Sequence, residues 1–306
     1  MSANAEYKVN DKATLGLNLR SQPVVDPSTK LAVLPIGQLI TKKAESATKP
    51  WWEVLTTIQG TDVDGFVNSK YLTPVATFVE PAPHSSLSPV HLRNPGINVT
   101  RSGIQRAYAL NEANQPTRNG NDPAQQKAEE LTVIIEWLKV DQSARYQPAP
   151  KTTYCNIYAY DYAYLSGVYL PRVWWTADAI HKLESGVAVS PKYGDTVDEL
   201  NANSLFDWFK NYGTTFGWTR AFDLTQLQNA ANDGQVVIIS AKQKDLHRSG
   251  HICAIVPETP DHTAVRSGAT VTKPLQSQAG KHNHPYFTIV WWNDPKYSDF
   301  GFWIHA

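Results

Sequence analysis

The chain has 306 residues, with 28 basic and 28 acidic side chains, a formal net charge of zero and 42% apolar residues. It is long enough for two domains, or for one large domain with an appendage. With no Lys/Arg block and no net charge, neither nucleic acid nor an anionic membrane is expected as the main partner. No run of about 18 apolar residues occurs, so no membrane insertion is expected.

The N-terminus, MSANAEYKVNDKATLG, lacks a basic segment followed by an apolar one, so no signal peptide is visible. The expectation is a protein made in the cytoplasm that acts outside only after lysis or through a dedicated secretion machine. Two cysteines cannot build a disulfide framework.

Residues 7–75 contain short alternating runs with turn punctuation. Leu15, Leu17 and Leu19 alternate, as do Val54, Leu55 and Ile58 up to a turn at Gly60, which predicts a small β-barrel. Residues 77–122 are rich in Pro, Ser, Asn and Arg and read as a linker with irregular structure. Asp122 and Pro123 predict an N-cap and first helical position. Ala128, Leu131, Ile134, Ile135 and Leu138 then give an amphipathic helix over 123–139.

The stretch KTTYCNIYAYDYAYLSG puts Cys155 where an extended segment turns into a helix, ended near Gly167. Two short helices are predicted in the middle region and another from Asp223 to Asn232, stopped by Gly234. QVVIISA at 235–241 predicts a buried strand. SGHICAIVPE predicts a strand opening with His251. VTKPLQSQAG, YFTIVWW and FGFWIHA read as further strands.

Cys155 is the leading chemical candidate. Free N–H groups and the helix dipole at a helix N-terminus stabilise a thiolate, and an imidazole beside it supports a thiolate–imidazolium pair. His251 supplies that imidazole, and Gly250 is read as leaving room for a substrate backbone. The third residue is taken as Gln278, on the strand after the histidine strand, with Gln276, Asn293 and Asp294 as alternates. Cys253 reads as a small core residue rather than a second cleft thiol. Asp161 lies off the Cys155 face and reads as a structural acceptor. Tyr154 is expected to line the cleft. Trp174 and Trp175, in a loop after Pro171, either stack on substrate or belong to the core. His282 and His284 have no companion ligands at metal spacing, so no metal and no organic cofactor is expected.

Two resemblances organise these readings. LNLRSQP at 17–23, IGQLI at 36–40, WWEV at 51–54 and GFVNSKYL at 65–72 resemble the bacterial SH3-like (SH3b) domain. That resemblance implies a wall-binding domain over 1–76. TYCN at 153–156, AANDGQVVIIS at 230–240 and SGHICAIV at 249–256 resemble the papain-like cysteine hydrolases of bacterial cell walls, the NlpC/P60 and CHAP group. That resemblance covers 123–306 and implies an α+β fold of helices on an antiparallel sheet. It also implies Cys155 as nucleophile, His251 as base and a polar orienting residue on the next strand.

Together they imply a peptidoglycan endopeptidase or amidase acting on stem peptides or muropeptides. The rival expectations are a toxin-type protein deamidase or transglutaminase on the same fold, and a non-catalytic wall-binding protein.

Overall fold

The computed structural model describes residues 6–13, 16–58, 61–75 and 87–306. Leu15, Gly60, residue 76 and the 77–86 part of the expected linker lie outside them. The fold is of mixed α+β type, and the chain divides into two compact units, residues 1–82 and 83–306.

The first unit is one antiparallel sheet. Its strands are β1 (Glu6–Val9), β2 (Leu17–Arg20), β3 (Lys30–Leu34), β4 (Leu39–Glu45), β5 (Trp51–Ile58), β6 (Thr61–Asn68) and β7 (Leu72–Pro74), in the order β3-β2-β6-β5-β4-β1-β7. Alternation drives Leu17 and Leu19 inward with Val9, Leu34, Ile40, Val54, Val67 and Leu72. Each such side chain contributes about 1.5–3 kcal/mol on burial. Val54 shares its inward face with Thr56, while Leu55 and Ile58 are only half-buried. Thr56 is tolerated inside because its hydroxyl donates to Leu39 O at 2.8 Å and accepts from Gln38 Nε2 at 2.9 Å.

The second unit begins with irregular chain. Residues 87–122 contain no helix or strand, yet Leu87, Val90, Val99 and Leu110 are buried in its core. Arg118 fastens this stretch by donating to Ser166 O at 3.0 Å and Gly234 O at 2.6 Å. These residues are therefore part of the second unit rather than a free connection.

Five helices follow: α1 (Ala124–Leu138), α2 (Cys155–Leu165), α3 (Ala177–Glu184), α4 (Ala202–Tyr212) and α5 (Leu224–Asn232). α1 starts one residue later than expected, with Pro123 at the N-cap and no side-chain cap. The Asp122 carboxylate instead accepts from Asn119 and Gln126 side chains. α5 is capped as its sequence suggests, Asp223 accepting from Gln226 N at 2.9 Å.

A short ribbon pairs β8 (Val173–Trp175) with β9 (Val197–Glu199). The main sheet uses β10 (Trp218–Ala221), β11 (Val236–Gln243), β12 (His251–Ile255), then β15 (Gln276–Gln278), β16 (His284–Phe287) and β17 (Tyr297–His305). Its order is β10-β17-β11-β12-β15-β16, antiparallel throughout. A second ribbon, β13 (Val265–Ser267) with β14 (Thr270–Lys273), stands apart.

The sheet is covered on both faces. Ile238, Ile252 and Ala254 face the layer that holds α1, α2 and α4, while Val237, Ile239, Cys253 and Ile255, with Phe302 of β17 beside them, face α5 and Trp292. That double burial explains why VVIIS reads as an unbroken apolar run. α2 is enclosed on nearly all sides, with nine of its eleven residues buried, so it lacks a polar stripe. The expected YFTIVWW strand ends at Phe287, leaving Trp291 and Trp292 in a loop.

Candidate active site

The chain enters α2 through a tight turn, in which Ala149 and Thr152 exchange backbone hydrogen bonds at 2.9 and 3.1 Å. Tyr154 is the N-cap and its side chain caps nothing, so no side chain competes for the first-turn N–H groups. Cys155 opens the helix, only 3% exposed. The backbone N–H groups of Ile252, Asn156 and Cys155 itself favour its thiolate. Burial outweighs them and pushes the thiol up to about 11. At neutral pH Cys155 is therefore a thiol, which corrects the expectation of a thiolate held by helix position and the His251 imidazole.

The Ile252 contact brings the start of β12 against the start of α2, so Cys155 lies beside the peptide that follows His251. His251 Nε2 and Gln278 Oε1 are 2.6 Å apart. Gln278 Nε2 donates to His282 O at 3.3 Å, which turns the amide oxygen toward the imidazole. The Nε2–H therefore donates to Gln278, and the neutral ring keeps its basic lone pair on Nδ1. Burial drives His251 down to about 4, against the favourable Gln278 bond and with Lys296 adding to the lowering. Among the described residues, no hydrogen bond joins the thiol to the imidazole. Both partners are neutral, so a thiolate–imidazolium pair has to draw its stability from the mutual attraction of the two charges.

Strand pairing explains why Gln278 serves. β12 and β15 match Ala254 with Ser277 and Ile255 with Gln276. His251, Cys253, Gln276 and Gln278 thus share one face by alternation. Gln276 is fully buried and does not touch His251. It donates to Pro274 O and Ile289 O, and its Oε1 accepts from Trp291 Nε1 at 2.8 Å and from Cys253 Sγ at 3.4 Å. Trp291, so held, packs its ring edge-on to His251 at a centroid distance of 4.5 Å. Asp294 accepts from Lys296 and Asn293 is exposed, so neither alternate orients the imidazole. Burial pushes the Cys253 thiol well above its usual range.

A cleft of about 510 Å³ opens at Cys155, lined among others by Arg106, Tyr108, Tyr154, Arg172, Glu199 and Ser249. Tyr154 stands in it as expected, with the Arg106 guanidinium 3.7 Å above its ring. The far wall is held by Arg145, which donates to Gln105 O at 3.1 Å and Tyr108 O at 2.8 Å. The same guanidinium pairs with Asp161 at 2.6 and 3.0 Å, and Tyr146 also donates to Asp161. Asn156 braces the helix start by donating to Leu200 O at 2.9 Å.

Two sequence readings need correction. Trp174 and Trp175 are buried in β8, not in a loop, and Trp174 packs against Tyr169, Trp208, Tyr212 and Phe216. They belong to the core and are not among the residues that line the cleft. Gly250 leaves no room for a substrate either. A Cβ there would sit 2.3 Å from Ala241 O and 2.5 Å from Asn203 Oδ1, so its glycine serves close packing of the chain.

Arg106, Arg172, Glu199 and Trp291 escaped the sequence reading. The first three come from separate irregular or strand-end positions with no shared spacing to mark them. The cleft offers a sulfur nucleophile and helix-end N–H donors. The oriented imidazole of His251 opens the adjoining strand β12 and is not among the residues that line the cleft. Comparison with protein-family models, with curated proteins and with solved structures finds no match for this chain.

Proposed function

We propose that the chain is a cysteine hydrolase of cell-wall peptidoglycan, an endopeptidase or amidase that cuts an amide bond of the stem peptide. On this reading the second unit is papain-like, of NlpC/P60 or CHAP type, and the first is an SH3-like wall-binding barrel. The single observation that carries the proposal is the junction of α2 with β12. There α2, which opens with Cys155, packs on β12, which opens with His251, and His251 is oriented by Gln278.

In the proposed reaction the carbonyl carbon of the substrate reaches Cys155 Sγ from the cleft. The thiol proton passes to His251 Nδ1 as the C–S bond forms. The developing oxyanion is met by N–H groups at the start of α2. The imidazolium returns the proton to the departing amine, leaving an acyl-enzyme. Water, deprotonated by His251, then releases the acid and regenerates the thiol. Gln278 supplies orientation but no negative charge, so imidazolium stabilisation is weaker than with a carboxylate partner.

Digestion of purified peptidoglycan followed by mass analysis of the fragments tests this reading. New amine and carboxylate termini from wild type, absent with Cys155→Ala, support it. Their absence from wild type refutes it. The raised thiol pKa favours one rival, a non-catalytic wall binder. Alkylation of Cys155 by iodoacetamide at neutral pH separates the two, because an inert thiol reacts no faster than its small thiolate fraction allows.

A further inference from the structure

The cleft wall carries more cationic hydrogen-bonding capacity than the protein itself uses. Arg172 precedes β8, and its side chain is 6% exposed. Its Nε donates to Arg106 O at 2.8 Å, and its Nη2 donates to the Glu199 carboxylate. Nη1 is buried and, among the described residues, has no partner. Folded proteins seldom leave a buried donor unmet, least of all a charged one.

Two tethers connect Arg172 to the residues beside the nucleophile. Arg106, whose carbonyl Arg172 holds, stacks on Tyr154, the residue before Cys155. Leu200 donates its N–H to Arg172 O at 3.2 Å and accepts from Asn156, the residue after Cys155. Arg172 is thus linked to both neighbours of the nucleophile, through Arg106 on its guanidinium and through Leu200 on its backbone, and all of these residues line or border one cleft.

The charge is also informative. The ionised side chains lining the cleft are Arg106, Arg172 and Glu199, one positive charge in excess. A monoanion balances that excess, whereas a dianion such as phosphate would meet the Glu199 carboxylate. The planar fork of Arg suits a carboxylate, and Glu199 on Nη2 shows that a carboxylate reaches this guanidinium.

We propose that the cleft holds a carboxylate-bearing peptide, its carboxylate seated on Arg172 Nη1 beside the reacting carbonyl. Naming that ligand as substrate rests on the hydrolase reading; the anion site itself does not.

A matched pair of alkylating reagents tests it in the full chain. Iodoacetate and iodoacetamide differ only in carboxylate against carboxamide, and both exchange iodide for the thiolate sulfur. Their rate ratio at Cys155, assigned by peptide mass analysis and divided by the same ratio for N-acetylcysteine, is independent of thiolate fraction. The expected value is about ten or more, the effect of one charge-assisted hydrogen bond. It should fall to about one in Arg172→Gln and rise above wild type in Glu199→Gln. A wild-type ratio equal to that of N-acetylcysteine, or one unmoved by Arg172→Gln, overturns the proposal. If Arg172→Gln does not fold, Arg172→Lys decides, since its ammonium pairs with Glu199 and leaves no second N–H of the fork for the ligand: a ratio held at the wild-type value overturns the proposal.

Failure of both reagents to label Cys155 refutes the hydrolase reading instead. The anion site is then read by calorimetry on the Cys155→Ala chain, with N-acetylglycine against N-acetylglycinamide. Acid-selective binding that Arg172→Gln abolishes upholds it. No binding of the acid at about 10 mM overturns it.

Discussion

Replacing Gln278 by Ala removes the only side chain, among the described residues, that hydrogen-bonds His251. The lost bond is short, 2.6 Å between His251 Nε2 and Gln278 Oε1. A neutral hydrogen bond contributes about 0.5–1.5 kcal/mol net, and an orphaned donor costs about 1–3 kcal/mol. Gln278 is half-buried, so water enters the space and holds the penalty to the lower part of that range. The freed ring also samples the other tautomer, in which Nδ1 carries the proton and cannot accept one. We expect a loss of about 1.5–3 kcal/mol in transition-state stabilisation, ten- to hundredfold in kcat/KM. Global stability should fall by no more than about 1 kcal/mol. The assay is release of soluble muropeptides from purified peptidoglycan, with urea unfolding run in parallel. Full activity in Gln278→Ala, with a severe loss in Gln276→Ala, would refute the argument. Catalysis would then depend on the Trp291 side of the imidazole.

Other outcomes follow from the same geometry. Cys155→Ala should abolish hydrolysis with little change in stability, while Cys253→Ala should keep activity and cost about 1 kcal/mol in urea unfolding. Asp161→Ala leaves the fully buried Arg145 unpaired and should destabilise the chain by about 3–5 kcal/mol. His251 titrates at about 4 in the fold against its usual 6.5, so the unfolded chain takes up the proton first. Its contribution to stability is complete above about pH 6.5 and is lost as the pH falls toward about 4, roughly 2–3 kcal/mol in all. Unfolding of wild type and His251→Gln at about pH 7 and about pH 4.5 reads this, since the variant should lack that part of the acid loss. Removal of residues 1–82 should weaken binding to intact walls in a sedimentation assay yet spare turnover of small muropeptides, because tethering acts through effective concentration.

Much of the second unit was legible in advance, for reasons that differ by element. VVIIS announces a strand buried on both faces, and the extended-to-helical switch at TTYC puts Cys155 at a helix start. Gln278 was reachable because period-two alternation puts it on the His251 face. The Trp174–Trp175 pair misled because a tryptophan doublet after a proline looks the same in a binding loop and in a short buried strand. Only packing against Trp208 and Phe216 decides it. Gly250 misled in a similar way, since its crowding comes from Asn203 and Ala241, both remote in sequence. The charge states of Cys155 and His251 were out of reach as well. Burial sets them, and burial is a property of the assembled fold.

Residues 105–108 have no regular secondary structure, yet Arg145 clamps their carbonyls to Asp161 inside α2. Wall and nucleophile helix are thereby joined through a fully buried ion pair. Slow amide exchange, ordinarily a mark of helices and strands, should therefore extend into this irregular stretch. Remodelling what the cleft admits then means changing the side chains it presents, Ile104, Arg106 and Tyr108, while leaving the clamp behind them untouched.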